Sequence, residues 1–316
     1  MSLLKVEFIR IFLLASIVLG IHNSYAQNGE TIRMAVIKAT VLAPALLVQK
    51  HLPSNWKTEI TYFTSPSDMS NAILSDSVDI AYTGFTIAVV ARSKDQPIVV
   101  IANQAGKGTG IVVRADSTIK TIADLKGKRV GNLTNSIHDV LLREELKKAK
   151  ISFDEISVIR LGPADMPAAL MRGDIDAFAG NEPNVTQSVM SGVGRVLLYP
   201  YDNSVGTINV GVISSEKIVK QKEKILKVWA MAHAKATEEL SKNPDLWADL
   251  VSKEWGYDRE ATKRSLSNIE LKWKIDDLFM SQFNVYSERL KDLGVVQKVP
   301  NINSLIDRQF VNQVKL

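Results

Sequence analysis

The sequence predicts an α/β protein of two lobes built alike, each a parallel-type mixed sheet flanked by helices, and two observations carry that expectation. The first is an internal echo. PSDMSNAILSDSVD at 66–79 returns without a gap as PADMPAALMRGDID at 163–176, shifted by 97 residues. Five of the fourteen positions are identical (Pro66/Pro163, Asp68/Asp165, Met69/Met166, Ala72/Ala169 and Asp79/Asp176), and three more exchange one aliphatic side chain for another (Ile73/Leu170, Leu74/Met171, Val78/Ile175). The second is that strand-like runs flank both copies at the same offset, 59–63 falling on 156–160 and 31–37 on 128–134. Each copy therefore reads as a β-α-β-α-β unit, and strands that alternate with helices imply parallel sheets.

Within one copy the local physics is simple. Proline presets φ at a helix's first turn, an early aspartate suits the positive helix end, and Met, Ala and Ile or Leu at three- and four-residue spacing make an apolar stripe. The runs 78–82 and 175–179 that follow read as short buried strands.

Taken from its start, the chain carries Lys5 and Arg10 before the apolar run 11–21, then small residues at 24–26. This predicts a secretory signal peptide over 1–26, since the apolar run is too short for a good membrane span. The first unit spans 31–82 and continues with a helix at 85–92 and strands at 98–103 and 110–113. The second unit spans 128–179, with a helix near 184–190 and strands near 195–199 and 207–213. Strands near 111–114 and 208–213 are expected to cross between the lobes as a two-strand hinge. That assigns 27–114 and 208–316 to lobe 1 and 115–207 to lobe 2. Beyond Ser215 the pattern is helical, with Ile225, Val228, Trp229 and Ala232 on one stripe and Trp247, Leu250, Val251 and Trp255 on another, expected to pack on the first lobe.

Composition excludes several functions. The net charge of +5 falls to +4 once Lys5, Glu7 and Arg10 are removed, and the charges are scattered along surface helices. Nucleic-acid binding would want a clustered stripe interleaved with aromatics. Cysteine is absent, so no lipid attachment, disulfide, thiolate metal site or thiol nucleophile exists. The mature histidines are only His51, His138 and His233, widely spaced, and His138 at a helix start lacks partners for a metal. No Ser-His-Asp arrangement or zinc signature can be placed, and the glycine-rich run 106–110 precedes a strand, not the helix that a dinucleotide site requires. No catalytic residue, metal or cofactor is expected.

In open α/β sheets, ligands bind outside the carboxyl ends of the strands. Four loops qualify: 38–42 and 83–86 from the first lobe, 135–139 and 180–184 from the second. Thr83, Gly84 and Phe85, and likewise Thr134, Asn135 and Ser136, put small or hydroxylated residues and backbone N–H groups at helix starts, an arrangement that receives an anion or caps its own helix. Lys38 and Thr40 occupy the matching first-strand loop. Asn181 and Glu182 precede Pro183, so Glu182 either accepts ligand N–H donors or complements the helix dipole.

The run TIADLKGKRV at 121–130, the polar loop 132–138, GPADMPAAL at 162–170 and GDIDA at 173–177 together resemble the nitrate/sulfonate/taurine-type solute-binding proteins of ABC importers, as do DIAYTG at 79–84 and QPIVV at 96–100. The resemblance covers 31–198 well and the helical tail only in character. It implies a type II periplasmic binding fold that closes on one small ligand, delivery to an inner-membrane ABC permease, a periplasmic location and a monomer. It places ligand contacts at Thr83, Gly84, 134–136 and 181–183. Many sulfonate binders have an aromatic residue where this chain has Asn181, and binders of thiamine pyrimidine precursors also look similar. A related pyrimidine-synthesising enzyme carries a cysteine-rich motif that this chain lacks. A ligand-sensing transcription regulator would need a DNA-binding helix pair where the export signal stands.

Overall fold

The computed structural model describes residues 29–316; the leader predicted over 1–26 lies outside the described residues. The first strands are β1 (Thr31–Val36), β2 (Lys57–Tyr62), β3 (Ile80–Gly84) and β4 (Ile98–Lys107). Then come β5 (Thr109–Arg114), β6 (Arg129–Asn132), β7 (Ser157–Arg160), β8 (Ala177–Asn181) and β9 (Gly194–Leu198), followed by β10 (Ile208–Ser215) and β11 (Ile269–Leu271). They form two sheets, ordered β11-β4-β10-β3-β1-β2 and β7-β6-β8-β5-β9.

β1 pairs in parallel with β2 and β3, and β6 in parallel with β7 and β8. The other pairings are antiparallel: β10 inserts between β3 and β4, β5 between β8 and β9, and β11 adds to the edge of β4. The duplicated plan is therefore a five-strand one, β2-β1-β3-β10-β4 matching β7-β6-β8-β5-β9. This corrects the predicted hinge. β5 lies wholly in the smaller sheet and β10, buried along its whole length, wholly in the larger, so neither strand passes between the sheets. The chain crosses instead at Gly108 and between Leu198 and Ile208.

The two halves superimpose by register with small slips. Ile80 and Ala177 begin β3 and β8 at the offset of 97, whereas Met34, paired with Ile60 and Ile80, matches Val130, paired with Val158 and Ala177. First strands thus differ by 96 and second strands by 98. Each half then repeats one device. Asp79 accepts from the Arg33 backbone N–H at 3.0 Å and from its guanidinium Nη2 at 2.6 Å; Asp176 accepts from Arg129 at 2.8 Å and 2.7 Å. The echoed helices also end alike, in left-handed residues Asp76 (φ 57°) and Gly173 (φ 76°). Their starts differ: Ser65 accepts from the Asp68 N–H ahead of Pro66–Leu74, while the second copy opens as a tight turn, Pro163–Asp165, before Met166–Arg172. Met171, placed by sequence with the buried pattern, is 62 % exposed.

The side chains of β5 alternate between two small cores, Ile111 and Val113 against Leu142 and Leu146 on one face, Val112 against Leu170 and Phe178 on the other. The larger core joins the first sheet to the tail through Trp229, Phe283 and Phe310, and takes in Ile137, Val140 and Leu141 from the second half. Trp229 Nε1 donates to Tyr82 Oη at 3.2 Å, Tyr82 Oη lies 3.1 Å from His233 Nδ1, and His233 Nε2 lies 3.0 Å from the Asn103 carbonyl. Because that carbonyl can only accept, Nε2 carries the proton and Nδ1 accepts from tyrosine. The tail does not stay on the first half: helix Arg259–Ser265 packs against Asn184–Met190.

Candidate functional site

β4 runs parallel to β3, since both are antiparallel to β10, so the carboxyl ends of β1, β3 and β4 share one end of the larger sheet. Two predicted residues there have buried hydroxyls, Thr40 Oγ1 and Thr83 Oγ1, with no hydrogen-bond partner among the described residues. A Cβ built on Gly84 would meet nothing within 4 Å, so the strand end opens onto free space. Helix Thr86–Ser93 begins beside it with no side-chain cap, because its N-cap position is Phe85, which has no acceptor, and the Thr86 hydroxyl is engaged with Tyr286. The first N–H groups of that helix are thus left to an outside acceptor. Phe85 is elsewhere engaged: its ring is buried, edge-on to Phe279 and Phe283 at 5.3 Å. Lys38 is exposed, with Nζ 4.9 Å from the centre of the Tyr62 ring.

The second half's loops are more self-contained. Buried Asp139, which the sequence reading missed, accepts from Asn132 Nδ2 at 2.8 Å, the Asn135 N–H at 3.0 Å and Arg143 Nε at 2.9 Å. It holds Asn135 in a left-handed conformation, φ 64°. Ser136 caps helix Ile137–Lys148 by accepting from the Asp139 N–H at 3.3 Å, and Thr134 is half-buried. The Asn135 and Asp139 N–H groups are thus engaged within the loop, the capping one of the two expected alternatives.

Glu182 is fully buried and each carboxylate oxygen has a partner, one of them at the start of the next helix as the dipole alternative expects. Oε2 accepts from the Thr186 N–H at 3.0 Å, a helix-start contact, and Oε1 accepts from Asn268 Nδ2 at 2.7 Å. Burial raises its pKa above the usual carboxylate range. Asn181 accepts from Asn184 Nδ2 at 3.2 Å and donates to the Glu182 carbonyl. Asn268 precedes β11 of the larger sheet, and it also donates to Tyr199 Oη at 2.8 Å. Between them runs the crossing segment: Gly108 donates its N–H to the Asn268 carbonyl and accepts from the Glu182 N–H, both at 2.9 Å. Gly108 has φ +79° and lies close to Val41 and Asn209, so a side chain here would be strained as well as crowded.

His138 is buried. Its Nδ1 lies 3.0 Å from Thr109 Oγ1, and burial pulls its pKa down to about 4, so the ring is neutral at pH 7. Tyr201 Oη donates to the Thr109 carbonyl at 2.8 Å, which fixes the first residue after the crossing. Thr109 pairs with Asn181, so His138 stands over the ends of the smaller sheet's strands. Three nearby cations are committed, Lys107 and Lys272 to Glu270 and Arg143 to Asp139, while Lys38 has no carboxylate partner among the described residues. No cluster of three metal-binding side chains occurs among the described residues. An open depression lies away from these strand ends, on the seam between helices Ile137–Lys148 and Asp277–Asp292 beside Arg143, Phe153 and Arg289.

A family model described as NMT1/THI5 like matches residues 57–246. The chain is 32% identical over 154 residues to a putative aliphatic sulfonates-binding protein of Escherichia coli K12, covering 48% of each chain. It is 25% identical over 191 residues to a formylaminopyrimidine-binding protein of Halalkalibacterium halodurans (59% of this chain, 58% of that one). Against the taurine-binding periplasmic protein of E. coli K12 the identity is 30% over 233 residues, 70% of this chain and 71% of that one. The chain thus spans about half the length of the first two of these relatives. Among solved structures it resembles a ligand-binding component of an ABC-type import system from Staphylococcus aureus, with TM-score 0.80, 18% identity, and coverage of 90% and 99%.

Proposed function

The chain belongs to the NMT1/THI5-like family, and from that premise we propose that it is the substrate-binding component of an ABC importer, capturing a small polar organic solute of the sulfonate or taurine type between its two sheets. The carrying observation is the pair of buried, partnerless hydroxyls of Thr40 and Thr83 beside the uncapped helix start at Gly84 and Phe85. A buried hydroxyl without a partner costs roughly 1–3 kcal/mol, which a bound polar group would relieve. N–H groups at a helix start suit an oxyanion. The lobes that would close are 29–107 with 208–316, and 109–198, turning about Gly108 and the segment before Ile208. Bonds made to both sides at once favour the closed form, and no covalent chemistry is needed. The permease partner and the periplasmic location follow from the same reading, and so does the absence of turnover.

The second reading, a binder of a pyrimidine, draws support from the formylaminopyrimidine-binding relative. Thermal-shift and calorimetric titration of the purified protein with taurine, ethanesulfonate, nitrate and a formylaminopyrimidine tests both. A saturable rise in Tm with one class and an unaltered ligand is expected. Turnover of the ligand by the protein alone would overturn the binding-only view.

A further inference from the structure

Gln104 is the least explained side chain in the molecule. It is fully buried near the carboxyl end of β4, in a bulge where Asn103 faces Gly211 and Ala105 faces Val210. Its backbone is satisfied: the N–H donates to Asn103 Oδ1 at 2.9 Å and the carbonyl accepts from the Lys272 N–H at 2.9 Å. Its amide nitrogen and oxygen both lack a partner among the described residues. An unpaired donor and an unpaired acceptor on one buried group are expensive, and packing gains nothing from them that methionine or leucine would not supply. Asn103 lies in the same cross-strand row as Gly211 and Thr83, the residue with the partnerless hydroxyl. Five residues on from Gln104, past Gly108, Thr109 holds His138 Nδ1, so Nε2 is that ring's uncommitted nitrogen.

Building on the binding reading above, we infer that Gln104 and Thr83 on one side of the crossing, and His138 on the other, set ligand specificity, and that the ligand presents an N–H donor as well as an acceptor. The amide oxygen of Gln104 calls for a donor, and its NH₂ and the Thr83 hydroxyl can meet an acceptor. All three side chains are neutral, and Lys107, Lys272 and Arg143 are held by carboxylates, which leaves exposed Lys38 of the first-strand loop as the cation there with no carboxylate partner among the described residues. An aminosulfonate or an aminopyrimidine fits this set; a plain alkanesulfonate or nitrate leaves the amide oxygen unanswered. A site built to hydrogen-bond a group discriminates strongly against the analogue that lacks it.

The test is calorimetry with taurine, ethanesulfonate and a formylaminopyrimidine on the wild-type protein and on Gln104→Met and Thr83→Val. Taurine or the aminopyrimidine should bind at least about tenfold more tightly than ethanesulfonate, one lost hydrogen bond to a buried group being worth about that factor. Gln104→Met should erase this preference while leaving Tm unchanged or higher, and Thr83→Val should weaken every ligand about tenfold. Equal affinity for taurine and ethanesulfonate, or an unchanged preference in Gln104→Met, would overturn the inference while leaving the binding reading intact. If none of the three ligands binds the wild type, both fall together.

Discussion

At the scale of single residues, Asp79 and Asp176 hold the same arginine fork in different surroundings. Asp79 is 1% exposed and is also bonded by Lys222 at 2.8 Å, whereas the Asp176 side chain is 25% exposed and its Arg129 partner 46%. Losing the buried carboxylate forfeits charged hydrogen bonds to two cations, worth roughly 1.5–3 kcal/mol, while an exposed pair is worth about 1 kcal/mol or less. Asp79→Asn should therefore lower urea-unfolding stability about threefold more than Asp176→Asn, and equal losses would refute that account. The buried histidines set the pH dependence. His138 and His233 are both pulled down to about 4 by desolvation, so the folded chain binds fewer protons than the unfolded one between about pH 6.5 and 4. Stability is full above that window and falls as pH drops through it. Raised Glu182 opposes this in part, since protonating it favours the fold, and the lowered Asp79 and Asp176 lose their contribution only further down. The urea midpoint should fall between pH 7 and 5, and His138→Gln should flatten that slope; an unaltered slope would assign the titration elsewhere.

At the scale of elements, β10 is threaded so tightly between β3 and β4 that one glycine decides its fit. A Cβ on Gly211 would lie 2.3 Å from two atoms of the Phe85 ring and 2.6 Å from the Ala102 carbonyl. Neither can yield, the ring being held by Phe279 and Phe283 and the carbonyl being sheet backbone, so Gly211→Ala should cost roughly 2–3 kcal/mol by overpacking. Phe85→Leu in the same chain should recover part of it, and additive losses in chemical denaturation would place the strain elsewhere. The strand itself was legible, since 207–213 is largely apolar, interrupted only by Asn209 after Thr207; its destination was not, because apolarity marks burial and says nothing about which sheet receives it. The echo at 66 and 163 located both helices and the ends of β3 and β8, where short-range punctuation fixes the chain. It could not show Asp139 or Asn268 as organisers of the loops, since their partners are either one helical turn away in a loop or far along the chain, nor Gln104, whose side chain has no partner among the described residues. Glu182 was visible as a carboxylate at a strand end, but which donors occupy it depends on Asn268, 86 residues later.

At the scale of the whole molecule, the closure proposed above would be biased by contacts made away from any ligand. Helix Ile137–Lys148 of the second half sinks Ile137, Val140 and Leu141 into the first half's core, and Glu144 reaches Arg289 on helix Asp277–Asp292 at 2.9 Å. The pair is largely buried, with side-chain exposures of 12% and 26%, and Arg289 is also shared with Asp292. Parting the lobes along this seam exposes apolar surface and breaks the ion pair, so both terms weight the equilibrium toward the arrangement seen here. A ligand that binds only the closed form has an apparent affinity set by the closed fraction. If the pair contributes about 1 kcal/mol, Glu144→Gln should weaken ligand binding about fivefold wherever the open form already predominates, though Glu144 lies in none of the strand-end loops. Calorimetry at low and high salt checks this: the deficit should shrink as added salt screens the pair in the wild type, and Arg289→Gln should show a deficit of the same sign that does not add to the first. Undiminished affinity in Glu144→Gln, with small-angle scattering unchanged, would mean that the apolar seam alone holds the halves together.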